Sequence, residues 1–186
     1  SKLSALSIVD RHEEPSFLRC LYCHYIFDNQ LDKFENIILS LKSMGEFITT
    51  DECIKMLKGE RAIEGKYFHL SFDDGFRNNY LNAFPILRKH AVPALFFVPS
   101  AIIGADWSTT REYCHNTTRY RSIIEMMNWN DLRALAHDGY EIGSHTRTHA
   151  RFSDISHSTQ LMSEEILGDV SEMTIRRAIK LIEKGV

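Results

Sequence analysis

The 186-residue chain has no run of Lys or Arg longer than a pair, and its formal net charge is only -3. A nucleic-acid surface or an anionic membrane patch is therefore not expected. It also lacks any stretch approaching the roughly 18 apolar residues of a membrane span. Residues 1–15 have neither the basic start nor the apolar centre of a signal peptide, which leans the reading toward the cytoplasm. Cysteine is sparse. Cys20, Cys23, Cys53 and Cys114 do not make the dense framework of a small secreted domain and read as free thiols in a reducing compartment. Internal repeats and low-complexity tracts are absent too. What remains, 44% hydrophobic and 25% charged residues, is enough for a soluble globular core. The length suits a single domain over residues 1–186, or a large piece of a bigger one.

Short apolar runs alternate with segments of helical period. Residues 17–24, 67–72, 93–98 and 140–143 read as strands. Between them, residues 29–44 place Leu31, Phe34, Ile38 and Leu41 on one helix face, and residues 51–58, 80–89 and 130–137 are further helices, with Pro85 starting a fresh turn or a kink. Residues 99–127 form a long polar insertion containing aromatics. This alternation predicts βαβ units and a parallel sheet, whose functional groups sit in the loops after the strands. Two polar clusters fall there: Asp73-Asp74-Gly75 after the second strand, and His145 with His149 after the fourth.

Adjacent carboxylates at a strand end are costly to bury unless a cation or hydrogen bonds neutralise them. One arrangement leaves one carboxylate on a metal and its neighbour free as a base, with Gly75 turning the backbone sharply. Taken alone, the triplet reads equally well as a solvated turn or a helix N-cap. A His-x-x-x-His pair can hold zinc, yet in a chain with nine histidines such spacing also arises by chance. Together, one Asp and two His make a three-ligand set with open positions, the pattern of a catalytic metal site.

The segment Ser71-Phe-Asp-Asp-Gly75 resembles the first motif of the polysaccharide deacetylases, the NodB-homology family. Residues 129–150, ending Gly143-Ser-His-Thr-Arg-Thr-His-Ala150, resemble that family's second motif and the helix before it, and residues 93–104 resemble the strand between them. The resemblance covers about residues 18–163. It implies an α/β fold, a parallel-stranded distorted (β/α) barrel of the polysaccharide deacetylase type. It makes Asp73 the general base and Asp74, His145 and His149 the ligands of a divalent metal, usually Zn2+, with Co2+ or Ni2+ as substitutes. The implied activity is hydrolysis of an N-acetyl or other acyl group on an amino-sugar glycan. Two alternatives stand beside it: a catalytically silent relative that binds metal and glycan, and a cyclic-amide hydrolase of the same superfamily.

The family's later motifs, an aromatic-Pro-Tyr-Gly strand end and a Leu-x-His, do not appear before Val186. Asp169-Val-Ser-Glu172 reads instead as a capping box before a helix carrying Ile175, Ala178, Ile179 and Ile182 on one face. Four strands cannot close a barrel that needs seven or eight. The C-terminal part of the fold is thus expected to be missing or unrepresented, through a break after about residue 167, a disordered end, or a second copy pairing with the open edge at 140–143. The helix 173–184 is expected to lie apart from 163–167. Three smaller features complete the expectations. Cys20-Leu-Tyr-Cys23 reads as core thiols, since residues three apart on a strand face opposite ways. His24 reads either as a substrate-side or as a core histidine. The insertion's Trp107, Tyr113, His115 and Tyr120 read either as an aromatic cover over a sugar site or as a surface excursion.

Overall fold

The structure is a computed structural model that describes residues 15–149. Its centre is one five-stranded parallel sheet made of β1 (Phe17–Cys23), β2 (Glu46–Phe47), β3 (Lys66–Phe72), β4 (Leu95–Val98) and β5 (Glu141–Ser144). The strand order is β1-β3-β4-β5, with β2 pairing beside β3 at Tyr67 and Phe68. The helices are α1 (Leu31–Met44), α2 (Thr50–Leu57), α3 (Phe84–Lys89), α4 (Trp107–Glu112) and α5 (Trp129–His137).

The two-residue period of β3 divides its side chains between two layers. Phe68, Leu70 and Phe72 join Phe34 and Ile38 of α1, Leu87 of α3, and Leu132 and Leu135 of α5 in the main core. Phe72 stacks on Phe96 of β4 with ring centroids 5.0 Å apart. On the other face, Tyr67 and Leu18 pack against Ile48 and against Cys53 and Met56 of α2. Local signals fix the helix starts. Thr49 and Glu52 form a capping box at α2, and Asn128 and Asp131 form another at α5, each satisfying backbone N–H groups the helix cannot.

The four expected strands are present within one or two residues. The differences have physical causes. Pro93 lacks the N–H a central strand must donate, so β4 begins only at Leu95. β2 is two residues long, too short to show a period. The helix expected over 80–89 is a widened π turn, Asn79–Ala83, followed by α3, with Pro85 in the first turn of α3, where its missing N–H is harmless. Cys20, expected in the core, is exposed on β1, while Cys53 and Cys114 are the buried cysteines.

The insertion is not a surface excursion. It holds α4 and a second π turn, Tyr113–Thr117, and closes its own apolar cluster of Phe76, Ile102, Tyr113, Cys114, Ile124 and Met126, against which Tyr25, Phe27 and Tyr120 pack. Among the described residues β1 and β5 each have one strand neighbour, and no helix is long and apolar enough to cross a membrane. The expectations placed on residues 163–184 lie outside the described residues.

Candidate functional site

The strand β3 ends at Phe72, and the next four residues make the site's first wall. Asp73 N–H donates to the Cys23 carbonyl at 2.8 Å, continuing the pairing of β3 with β1 for one more residue. Asp74 and Gly75 then both take left-handed backbone, with φ of 71° and 69°. For Asp74 this is strained; for Gly75 it is not. A Cβ at Gly75 would also stand 3.0 Å from Ile103 Cδ1. This double turn drives the Asp74 side chain inward, where it is 2% exposed, while Asp73 stays half-buried beside it.

The second wall follows β5. His145 N–H donates to the Val98 carbonyl at 2.9 Å, and Ala101 N–H donates to the Arg147 carbonyl at 2.9 Å. The His loop is thereby pinned along the end of β4. Thr146 and His149 are also left-handed, at φ 64° and 58°. The tight winding brings the two imidazoles to a centroid distance of 4.7 Å.

The three side chains meet at one atom. Asp74 Oδ1 lies 3.4 Å from His145 Nε2 and 3.2 Å from His149 Nε2. It is buried and has no hydrogen-bond partner. A buried carboxylate oxygen without a donor is costly. The same three donors, all within 4.8 Å of one another, are an ion-sized cage. The edge of a tetrahedron with bonds of about 2.0–2.1 Å is about 3.3–3.4 Å, so the spacings suit a zinc-sized cation held by one oxygen and two nitrogens. The residues present therefore fit the metal that the sequence resemblance implies. The other carboxylate oxygen, Oδ2, accepts a hydrogen bond from the Tyr120 hydroxyl at 3.0 Å.

The two neighbouring carboxyls titrate in opposite directions. Burial alone would raise Asp74. His145 and His149 beside it, with the Tyr120 hydroxyl, outweigh that and hold it well below the usual carboxylate range. Burial raises Asp73, opposed by the charges of His145 and His24 and aided by the negative charge of Asp74. A pair pushed apart in this way divides ligand from base. Asp73 lines an open cleft with Tyr22, Ser71, Phe97, Ser144 and His145, so it meets solvent while Asp74 does not.

All four site residues read from the sequence thus lie at one end of the sheet, with Asp74, His145 and His149 in mutual contact and Asp73 next to them. His24 stands on the same rim, its ring 6.2 Å from that of Tyr120, and its carbonyl accepts from Asn79 Nδ2 at 2.9 Å. Two participants were not singled out by the sequence. The sequence offers Tyr120 only as one insertion aromatic among several and gives no sign of Asn79. The insertion reaches Asp74 because Met127 N–H donates to the Gly75 carbonyl at 2.9 Å and Arg77 N–H to the Glu125 carbonyl at 2.7 Å. It therefore runs as a backing strip behind the Asp-Asp-Gly turn. Trp107 and His115 of the insertion are left exposed.

Known proteins share this arrangement of chain and fold. Residues 60–174 match the family described as Polysaccharide deacetylase. YxkH of Bacillus subtilis (strain 168), provisionally named a polysaccharide deacetylase, is 27% identical over 154 residues, 80% of this chain and 49% of YxkH. The chain thus spans about half the length of that relative. The solved structure of IcaB from Ammonifex degensii is similar at a TM-score of 0.61 and 26% identity, over 72% of this chain and 55% of that one. The Streptococcus pyogenes deacetylase PplD, solved with acetate, is 18% identical with a TM-score of 0.54, over 78% of this chain and 62% of that one, a likeness of fold alone. These likenesses make the parallel sheet and its helices part of a NodB-type (β/α) barrel. The family match takes in more than half of the sequence and both walls of the site, so the chain belongs to the polysaccharide deacetylase family.

Proposed function

We propose that the protein is a metal-dependent hydrolase that removes N-acetyl or other acyl groups from an amino-sugar-containing glycan. The observation that carries the reading is the convergence of His145 and His149 on the buried, donor-less Oδ1 of Asp74, with the half-buried carboxyl of Asp73 one residue away. Asp74, His145 and His149 would hold a divalent cation, Zn2+ by the donor set and spacing, with Co2+ or Ni2+ as workable substitutes. Such an ion, when bound, lowers the pKa of water and polarises an amide carbonyl.

The chain's own residues supply the rest. Asp73, exposed to the cleft, takes the proton of the attacking water at its carboxylate. Tyr120 donates to Asp74 Oδ2 and so turns Oδ1 toward the two imidazoles. Phe97 and Tyr22 line the cleft with Asp73 and give flat apolar surface on which a sugar ring can lie. The burial around Asp74 excludes water from the ligand side, strengthening every electrostatic contact there.

The test is acetate release from N-acetylglucosamine oligomers by the full-length protein, before and after chelation and after Zn2+ is restored. Release that disappears on chelation and returns with metal is the expected result. Ring opening of cyclic amides without acetate release would move the protein to the cyclic-amide hydrolases. Metal binding with neither reaction would make it a silent relative.

A further inference from the structure

A second cluster of metal-ligating side chains lies in the same sheet, away from Asp74. The parallel register sets Cys20 of β1 directly beside His69 of β3, so both side chains emerge on the face that α2 covers. From α2, Cys53 points down to meet them. Its Sγ lies 3.8 Å from the Sγ of Cys20. One ligand atom from each of Cys20, Cys53 and His69 falls within 4.8 Å of the others. Cys20 borders the cleft that Asp73 lines, but none of the three is in the ligand group of Asp74, His145 and His149. His69 is four residues upstream of Asp73, which in a strand is about 13 Å.

We propose that Cys20, Cys53 and His69 form a second metal site, a Cys2His set for a borderline-soft divalent ion of the zinc class. Three observations support it independently. The sulfur spacing is the first. A tetrahedral ion with bonds of about 2.3 Å to two thiolates separates the sulfurs by about 3.8 Å, whereas a disulfide needs about 2.05 Å. The second is the histidine. His69 is buried, and the Thr50 hydroxyl stands 3.0 Å from its Nε2, the kind of outer bond that fixes the ring of a ligating imidazole. Burial lowers its pKa, against a smaller opposing effect of Glu141. The third is preorganisation. Two ligands sit on adjacent hydrogen-bonded strands, and the third on a helix whose start is fixed by the Thr49–Glu52 capping box. Thr50 N–H also donates to Glu141 Oε1 at 2.9 Å, tying the same helix start to β5.

The chemistry selects the ligand. Two sulfurs and one nitrogen favour zinc, or cadmium and cobalt as probes, over magnesium or calcium, which take oxygen. Three protein ligands leave a fourth position open, and Cys20 is the exposed member through which it meets solvent. Binding releases the two thiol protons to solvent and ties β1, an edge strand among the described residues, to α2 and β3 through one ion. The expected role is therefore to lock that strand in place.

The experiment uses the full-length protein under reductant, with Co2+ as the probe. Thiolate-to-cobalt charge-transfer absorption in the near ultraviolet is expected, together with about two ions per chain. His145→Ala should remove about one ion and leave that absorption intact, so the outcome is independent of the proposed deacetylase site. Cys20→Ser, at an exposed position that does not support the core, should abolish the absorption and leave about one ion. The proposal is overturned if cobalt binds without thiolate absorption, if Cys20→Ser retains it, or if the reduced chain takes up no second ion. A Cys20–Cys53 disulfide that forms in preference to metal uptake would overturn it as well.

Discussion

The two clusters use the same sheet in opposite ways. Asp74, His145 and His149 stand on loops beyond the ends of β3 and β5, and the backbone there is left-handed at Asp74, Thr146 and His149. Each such residue costs on the order of 1–2 kcal/mol. Cys20, Cys53 and His69 stand inside β1, α2 and β3, and none is left-handed. Residues held in strained backbone persist only where the surroundings over-determine them, which is typical of functional sites. The first cluster also has the Asp73 carboxyl beside it, whereas the second reaches the cleft that Asp73 lines only through the exposed Cys20. One end of the sheet is arranged for reaction and its middle for cohesion.

The sharpest way to break this contrast is to remove one ligand from the loop site. His145→Ala should lower metal affinity there by more than about 100-fold, beyond the 10–100-fold of an outer-shell change, and take acetate release to background. Unchanged metal content in that variant, measured by elemental analysis, would dissolve the distinction. Next in size is the base. Asp73→Asn should keep its metal and lose turnover by at least about 100-fold. Near-normal turnover would mean that the cleft-facing carboxyl is not the proton acceptor.

Legibility in the sequence follows the same division. Asp73, Asp74, His145 and His149 were readable because loop ligands sit close together in sequence, as Asp-Asp-Gly and as His-x-x-x-His just after strands. The strands were readable because Phe68, Leu70, Phe72 and Phe96 are buried in regular elements. The Cys2His cluster was not. Its members are joined by register and by one helix, and the eye falls instead on Cys20 and Cys23, which the strand sends to opposite faces. Tyr120 was hidden for a related reason: it is 46 residues from Asp74 and belongs to no periodic segment. The insertion's polarity obscured a second core whose members, Phe76, Ile102, Tyr113 and Met126, are scattered over fifty residues of sequence.

Tyr120 provides the intermediate test. Tyr120→Phe keeps the ring packed against Tyr25 and Phe76, 5.3 and 5.4 Å away, and deletes only the hydroxyl that holds Asp74 Oδ2. Metal affinity at the loop site should fall about 10-fold, with thermal stability nearly unchanged. A loss as large as that of His145→Ala would promote Tyr120 from a positioning residue to a direct participant. No loss would mean that the strained backbone alone aims Asp74.

The smallest expected effect sharpens the comparison from the other side. Glu52 accepts from Thr49 N–H at 3.1 Å and pairs with Arg61 at 2.6 Å. The Thr49 backbone bond, and behind it Arg61, hold its carboxyl below the ordinary value despite partial burial. A carboxyl whose folded-state pKa is depressed adds stability above its unfolded value, about 4.3, and loses it as pH falls through the folded value. Glu52→Gln should therefore destabilise the protein at neutral pH by roughly 0.5–1 kcal/mol, the size of a half-exposed cap interaction. The difference from the unaltered protein should vanish on titration below about pH 4. Acetate release per folded molecule should not change, because α2 supports the thiol cluster and touches none of Asp73, Asp74, His145 or His149. Melting curves of the two proteins across pH, paired with turnover at pH 7, measure both halves. A stability difference that persists into acid would show that the charge of Glu52 is irrelevant to the cap. A fall in turnover would show that the two ends of the sheet are mechanically coupled rather than independent.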